Sequence, residues 1–261
     1  MSIAKDDFDD LRYAKTLLEN PSLAAKISNL LGTPIEKGLE HLPEKWKGVV
    51  QKATEKSLEK ALNFAIQTMH DRTKTASSDK THKILVFATG AGGGSFGLPA
   101  LTIELPVTTT IMLRSIADIA RSEGEQIRLL ETKIACLEVF ALGGPSKSDD
   151  GTETGYFIVR AALARTISDA TKYISQKGLA QEGAPALVRF IATLASRFGI
   201  IVSEKVAAQA IPLIGAAGGA LINTIFIDHF QNMARGHFII RRLERLYDKD
   251  LIRQEYDNLD L

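Results

Sequence analysis

Between Ile84 and Leu113 the chain carries no lysine or arginine, and five glycines fall between Gly90 and Gly97. Thirty residues with a single acid, Glu104, can be placed in only two ways. They are buried among other elements, or they meet something other than water, because an uncharged apolar surface of that length is costly to leave solvated. The rest of the chain has to be arranged around this stretch, which we take from Ile84 to Gly124.

The remaining sequence reads as helices. Apolar residues recur at helical spacing over Asp6 to Glu19, and after Pro21 through Leu23, Ile27, Leu30 and Leu31. Thr33, Pro34 and Glu36 form a capping box ahead of a brief helix. A helix from Pro43 to about His70 carries Trp46, Val50, Leu58, Leu62, Phe64 and Ile66. Further helices are expected from Leu105 to about Ser122, Glu125 to about Leu142, Tyr156 to about Gln176, and Pro185 to about Gln209. Pro212 restarts the chain, and Gly236 is expected to interrupt before the last helices. Stretches alternating with period two are scarce, apart from a short apolar piece at Ile84 to Ala88. The expected fold is therefore all-α, a multi-helix bundle with a central glycine-rich segment. Residues 1–70 are expected to pack on or be appended to the core, 71–83 to be a polar linker, and 84–261 to form the helical core.

Composition narrows the function classes. A formal charge of +1 supplies no excess of cations for a phosphate backbone, so no nucleic-acid partner is expected. The single cysteine, Cys136, excludes an internal disulfide and sits among Ile134, Ala135, Leu137 and Val139 as an inert buried thiol. With an acidic, polar start that lacks the apolar core of a signal peptide, the expected location is cytoplasmic.

Gly92, Gly94 and Gly97 match G-x-G-x-x-G, with Asp118 near the distance of a ribose-binding acid. The match lacks its context: Leu98 and Pro99 follow at once, Asp118 falls in a helical pattern, and no alternating strand and helix units surround it. The glycines are read instead as places where helices approach closely. Gly215 and Gly219 form a second small-residue cluster in an uncharged run from Val206 to Ile227, about as long as the ~20 residues a transmembrane helix needs. That run is read as a buried helix, with membrane insertion as the alternative. Gly92, Gly93, Gly94, Gly97, Pro99, Gly215 and Gly219 are the candidate lipid- or ligand-binding positions.

For chemistry, the candidates are Glu104, Asp118, His229 and His237, with Glu123 and Asp228 near them. Glu104 and Asp118 would lie about 21 Å apart on one helix, and His229 and His237 about 12 Å, so neither pair can share an ion directly. A divalent metal would need a site across helices, for which Glu104 with His229 is a weak candidate; no cofactor is expected. Asp118 has a simpler role, pairing with Arg114 or Arg121 on its own helix. Arg241, Arg242 and Arg245 lie opposite Phe238, Ile239 and Leu243, a pattern that suits an anionic lipid surface.

Two blocks, GAGGGSFGLPALTIELPVTTTIMLRSIADIARSEGE from Gly90 and IPLIGAAGGALINTIFIDHFQNMARGHFIIRRLERLY from Ile211, resemble the bacterial EcsC family, named for a gene neighbouring an ABC transporter. The likeness extends from about Leu58 onward. Family members show an aspartate before the Leu-Pro of the first block, where Glu104 stands here. The resemblance implies a helical fold and brings no settled catalytic mechanism. The function expected is non-enzymatic: peripheral association with the inner face of the cell membrane, through lipid or a membrane-protein partner. The alternative is a metal-assisted hydrolase or lipid-modifying enzyme with a cross-helix carboxylate and histidine site.

Overall fold

The computed structural model describes residues 3–19, 23–31, 44–69, 98–144, 155–179, 184–209 and 215–260. The glycines at 90–97, the polar stretch 71–83, the strand-like piece at Ile84 to Ala88 and the capping box at Thr33 lie outside them. Among the described residues every regular element is helical. We number them α1 (Lys5–Leu18), α2 (Leu23–Leu31), α3 (Glu44–Thr68), α4 (Leu98–Ser122), α5 (Leu130–Glu138), α6 (Gly155–Lys177), α7 (Pro185–Gln209), α8 (Gly215–Leu246) and α9 (Lys249–Asn258), with a short 3-10 turn at Val139–Ala141.

The core is one continuous body of aliphatic and aromatic side chains drawn from all nine. α4 packs along α3 and α8, and α7 packs against α3, α6 and α8. Phe140, Phe198, Phe226 and Phe230 stack at its centre, with ring centroids 5.0–6.2 Å apart. Tilted and edge-on rings at such spacings add attraction beyond the area they bury.

Several boundaries differ from the sequence expectation. α4 begins at Leu98, about two turns before the expected start at Leu105, so Pro99 lies in its first turn and Pro106 inside the helix. A proline in the first turn sacrifices no backbone hydrogen bond, and either residue satisfies that rule locally. The helix expected from Glu125 starts only at Leu130, after a turn at Gly124 with φ +83°. The expected interruption at Gly236 does not occur, and α8 runs unbroken through it. A methyl group there would meet Leu18 Cγ at 2.6 Å and the Ala14 carbonyl oxygen at 3.0 Å. Gly236 is therefore where α1 lies closest to α8, and its missing side chain permits the contact.

The terminal helices close on each other. Buried Lys15 of α1 donates to the carbonyls of Tyr256 and Leu259 at the end of α9, both at 2.8 Å. A cation at a helix carboxyl end satisfies otherwise unpaired carbonyls. Asp248 caps the start of α9, accepting from the amides of Asp250 and Leu251.

Candidate functional site

α4, α7 and α8 meet at one end of the bundle, and a single carboxylate joins them. Lys205 Nζ of α7 donates to Glu104 Oε1 at 2.7 Å, and Asn223 Nδ2 of α8 donates to the same oxygen at 3.1 Å. Lys205 is fully buried and also lies 4.9 Å from the Phe226 ring centroid. This geometry corrects the reading of Val206 to Ile227 as one helix. Lys205 and Asn223 are 18 residues apart, about 27 Å on a continuous helix, yet both bond to one oxygen. The run is divided between two helices, α7 ending at Gln209 and α8 beginning at Gly215. Among the described residues, the helix long and apolar enough to cross a membrane is instead α7, and 44% of its most apolar 18-residue stretch is buried inside the protein.

The outward faces of these three segments are free of charge. From Leu98 to Leu113 the one ionisable residue is Glu104, from Phe198 to Gln209 the only two are Glu204 and Lys205, and from Gly215 to Ile227 there is none. All three charged residues are buried. Apolar side chains face outward in their place: Ile103 is 75% exposed, Val107 47% and Leu221 41%. Ile103 and Val107 are one turn apart on α4 and share a face. The sequence runs that join covalently here, Ile84 to Gly97 and Ala210 to Ile214, contain no charged residue either.

The other candidates fall in different surroundings. Asp118 accepts from Arg121 on its own helix, as the spacing predicts, while Arg114 lies over the Phe64 ring. His229 is buried beside Phe230 and Gly143, and burial together with the charge of Lys26 holds its ring neutral, with a pKa lowered to about 3. The pairing of Glu104 with His229 does not form, because Lys205 and Asn223 hold the carboxylate and His229 lies six residues, about 9 Å, further along α8. Among the described residues no three histidine, cysteine or acidic side chains are grouped to hold a metal. Pro99, Gly215 and Gly219 belong to the first turns of α4 and α8, at the uncharged end. Gly92, Gly93, Gly94 and Gly97 lie outside the described residues.

The arginines of α8 are turned to carboxylates of the protein. Arg241 and Arg245 both bond to Glu125, and Arg242 bonds to Glu123 and Asp10. His237 is fully buried; its Nδ1 is 2.9 Å from the Tyr156 hydroxyl, and its Nε2 faces the Glu138 carboxylate at 3.9 Å. Burial, then the nearby guanidiniums of Arg160 and Arg241, keep this imidazole neutral. Glu138, Tyr156 and Arg160 are not marked by any sequence motif. The one signal available was an acid inside the apolar run Ile134 to Val139.

The model of the EcsC protein family matches residues 15–243. The chain belongs to the EcsC family. The EcsC match reaches back into α1 and spans α2 and α3, further than the likeness from Leu58, so the N-terminal helices are part of what the family shares. It also includes every residue of the Glu104, Lys205 and Asn223 cluster. No curated protein and no solved structure matches the chain.

Proposed function

We propose that this EcsC protein associates peripherally with a lipid bilayer through the end of the bundle where α4 begins, α7 ends and α8 begins. The observation that carries the reading is the placement of charge: Glu104, Glu204 and Lys205 are buried while Ile103, Val107 and Leu221 face outward. A surface entering hydrocarbon must present no ionised group, since each costs several kcal/mol there. Burying Glu104, the one acid between Leu98 and Leu113, against a lysine of α7 meets that demand without removing either residue. The uncharged connecting sequences at Ile84 to Gly97 and Ala210 to Ile214 extend the same character. The α8 arginines are engaged with Glu123, Glu125 and Asp10, so the apolar end rather than a cationic face supplies the attraction. No reaction is part of this reading, and its site of action is the cytoplasmic face of the membrane.

Liposome flotation of the purified protein tests it, with neutral and acidic vesicles at low and high salt. Binding that survives high salt and is abolished in the Ile103→Asp, Val107→Asp double variant is the expected result. Both positions are exposed, so the variant retains the fold, which circular dichroism checks. Protein that never floats, or floats only with acidic vesicles at low salt, overturns the proposal. Binding confined to vesicles containing membrane proteins overturns it in favour of a protein partner.

A further inference from the structure

On another part of the molecule, α5 and α6 flank a half-open cavity of about 450 Å³ that Arg241 of α8 also lines. Its walls follow from helical periodicity. Glu131, Ala135 and Glu138 lie on one face of α5, and Arg160, Ala164, Ile167, Ser168 and Thr171 on one face of α6. The volume falls within the range of small-molecule sites.

Polar groups around this cavity can be matched one against another, and the matching leaves a remainder. Arg160 makes two bonds to Glu244, at 2.7 and 3.0 Å, and Arg241 makes two to Glu125, at 2.8 and 3.4 Å. A guanidinium carries five N–H groups, so each retains donors beyond those two bonds. Glu138 has the opposite character. Its side chain is only 8% exposed, it lines the cavity, and among the described residues the basic nitrogen facing it is His237 Nε2 at 3.9 Å, too far for a hydrogen bond. A buried carboxylate without a donor is costly, and the groups around it are placed to be completed from the cavity side. The site thus lacks a donor at Glu138 and offers donors at Arg160 and Arg241, with the hydroxyls of Ser168 and Thr171 beside them. Ala135, Ala164 and Ile167 form an apolar strip.

We propose that the α5–α6 cavity is a binding site for a free α-amino acid, whose ammonium group donates to Glu138 and whose carboxylate accepts from Arg160 and Arg241. A simple anion would leave Glu138 unmatched, and a simple amine would lie beside two guanidiniums without using them. A molecule carrying both groups on one carbon satisfies the acceptor and the donors together, while its side chain lies along Ala135, Ala164 and Ile167. Glu131 and Lys172, both exposed at the opening, carry opposite charges and add no net preference. The site is separate from the uncharged end and does not depend on membrane binding.

The experiment is calorimetric titration of the full chain with each of the twenty protein amino acids in turn, followed by the best binder's N-acetyl derivative and its amide. At least one amino acid is expected to bind, with both derivatives weaker on the order of tenfold or more. Glu138→Gln is expected to weaken binding by a similar factor. Ala164→Phe, at an exposed position of the wall, is expected to abolish binding by filling the cavity without disturbing the core. No heat with any of the twenty overturns the proposal. So does binding that ignores both substitutions, or binding that the N-acetyl derivative retains.

Discussion

Lys205 and Glu104 meet at 2.7 Å with side chains 0% and 7% exposed, a charged pair sealed inside an end of the bundle whose outer faces are apolar. Breaking such a pair leaves one charge buried and unmatched, which costs roughly 3–5 kcal/mol. Glu104→Ala should therefore destabilise by about that much in urea unfolding, more than the loss of a side chain of its size would suggest. Replacing both partners, Glu104→Leu with Lys205→Met, should recover most of the loss, because an apolar pair of similar volume is often neutral. If the double variant is no more stable than the single one, the pair does more than neutralise itself.

Glu104→Asp bears on the position where EcsC members show aspartate. The shorter side chain withdraws the carboxylate from Lys205 and Asn223, now at 2.7 and 3.1 Å, unless the helices move together. We expect a loss of about 1–2 kcal/mol, that of a weakened charged hydrogen bond. Chemical denaturation measures it.

Burial pushes the Glu138 carboxyl up from 4.5 to about 7, against the opposing pull of Arg160 and Arg241. Its folded-state value is raised, so the native state holds this proton more tightly than the unfolded chain between pH 4.5 and 7, and stability contributed by the group falls as pH rises through that window. Below it the two states are alike, and above pH 7 the full cost of roughly 3 kcal/mol applies. Glu138→Gln should be more stable than the parent at pH 8 and nearly equal to it at pH 4.5. Unfolding curves at the two pH values decide this.

The same group sets the pH dependence of amino-acid binding. An ammonium ligand needs ionised Glu138, so affinity should fall by up to tenfold per unit as pH drops below about 7, and level off above. Glu131 on α5, Arg160, Lys172 and Tyr156 on α6, and His237, Arg241 and Glu244 on α8 also face this region. Tyr156 is raised by burial and the guanidiniums stay charged, so over this window Glu138 is the group that changes. Calorimetry at several pH values reads the slope, and Glu138→Gln should flatten it.

His229 and His237 are both fully buried and both held neutral, chiefly by desolvation. In the unfolded chain they accept protons below about pH 6.5, which the folded protein resists. Stability should drop by roughly 1.4 kcal/mol per pH unit for each histidine below that point. Measured in the Glu138→Gln background, which removes the opposing carboxyl, unfolding free energy should decline steeply between pH 6 and 4.5.

Gly143 has φ +73°, and a methyl group there would lie 2.5 Å from His229 Nε2 and 2.7 Å from Met233 Sδ. Gly143→Ala combines left-handed backbone strain with overpacking, each on the order of 1–3 kcal/mol. Gly236→Ala forces α1 from α8 without backbone strain, since α8 is regular there. Both should lower the thermal midpoint, Gly143→Ala by more.

What the sequence determined by itself was most of what depends on near neighbours. α7 begins and ends where its pattern of apolar residues and proline predicts, at Pro185 and Gln209. Asp118 pairs with Arg121 because three residues on a helix bring them together whatever else the chain does. The all-α class followed from periodicity, and the two long glycine-containing blocks were enough to mark the EcsC family. Local rules were ambiguous where two residues satisfied them equally, as Pro99 and Pro106 did at the start of α4. What only the tertiary structure decided were the partners across the fold. Glu104 lies 101 residues from Lys205, and Glu138 99 residues from His237, so no spacing rule connects them. Gly236 looked like a break because glycine weakens an isolated helix, yet α1 packed against it recovers that cost by close approach. The terminal arginines read as a cationic face because their sequence neighbours could not reveal Glu123, Glu125 and Asp10 beside them. Helix formation is set within a few residues, whereas the fate of a charge depends on what the packed helices bring to it.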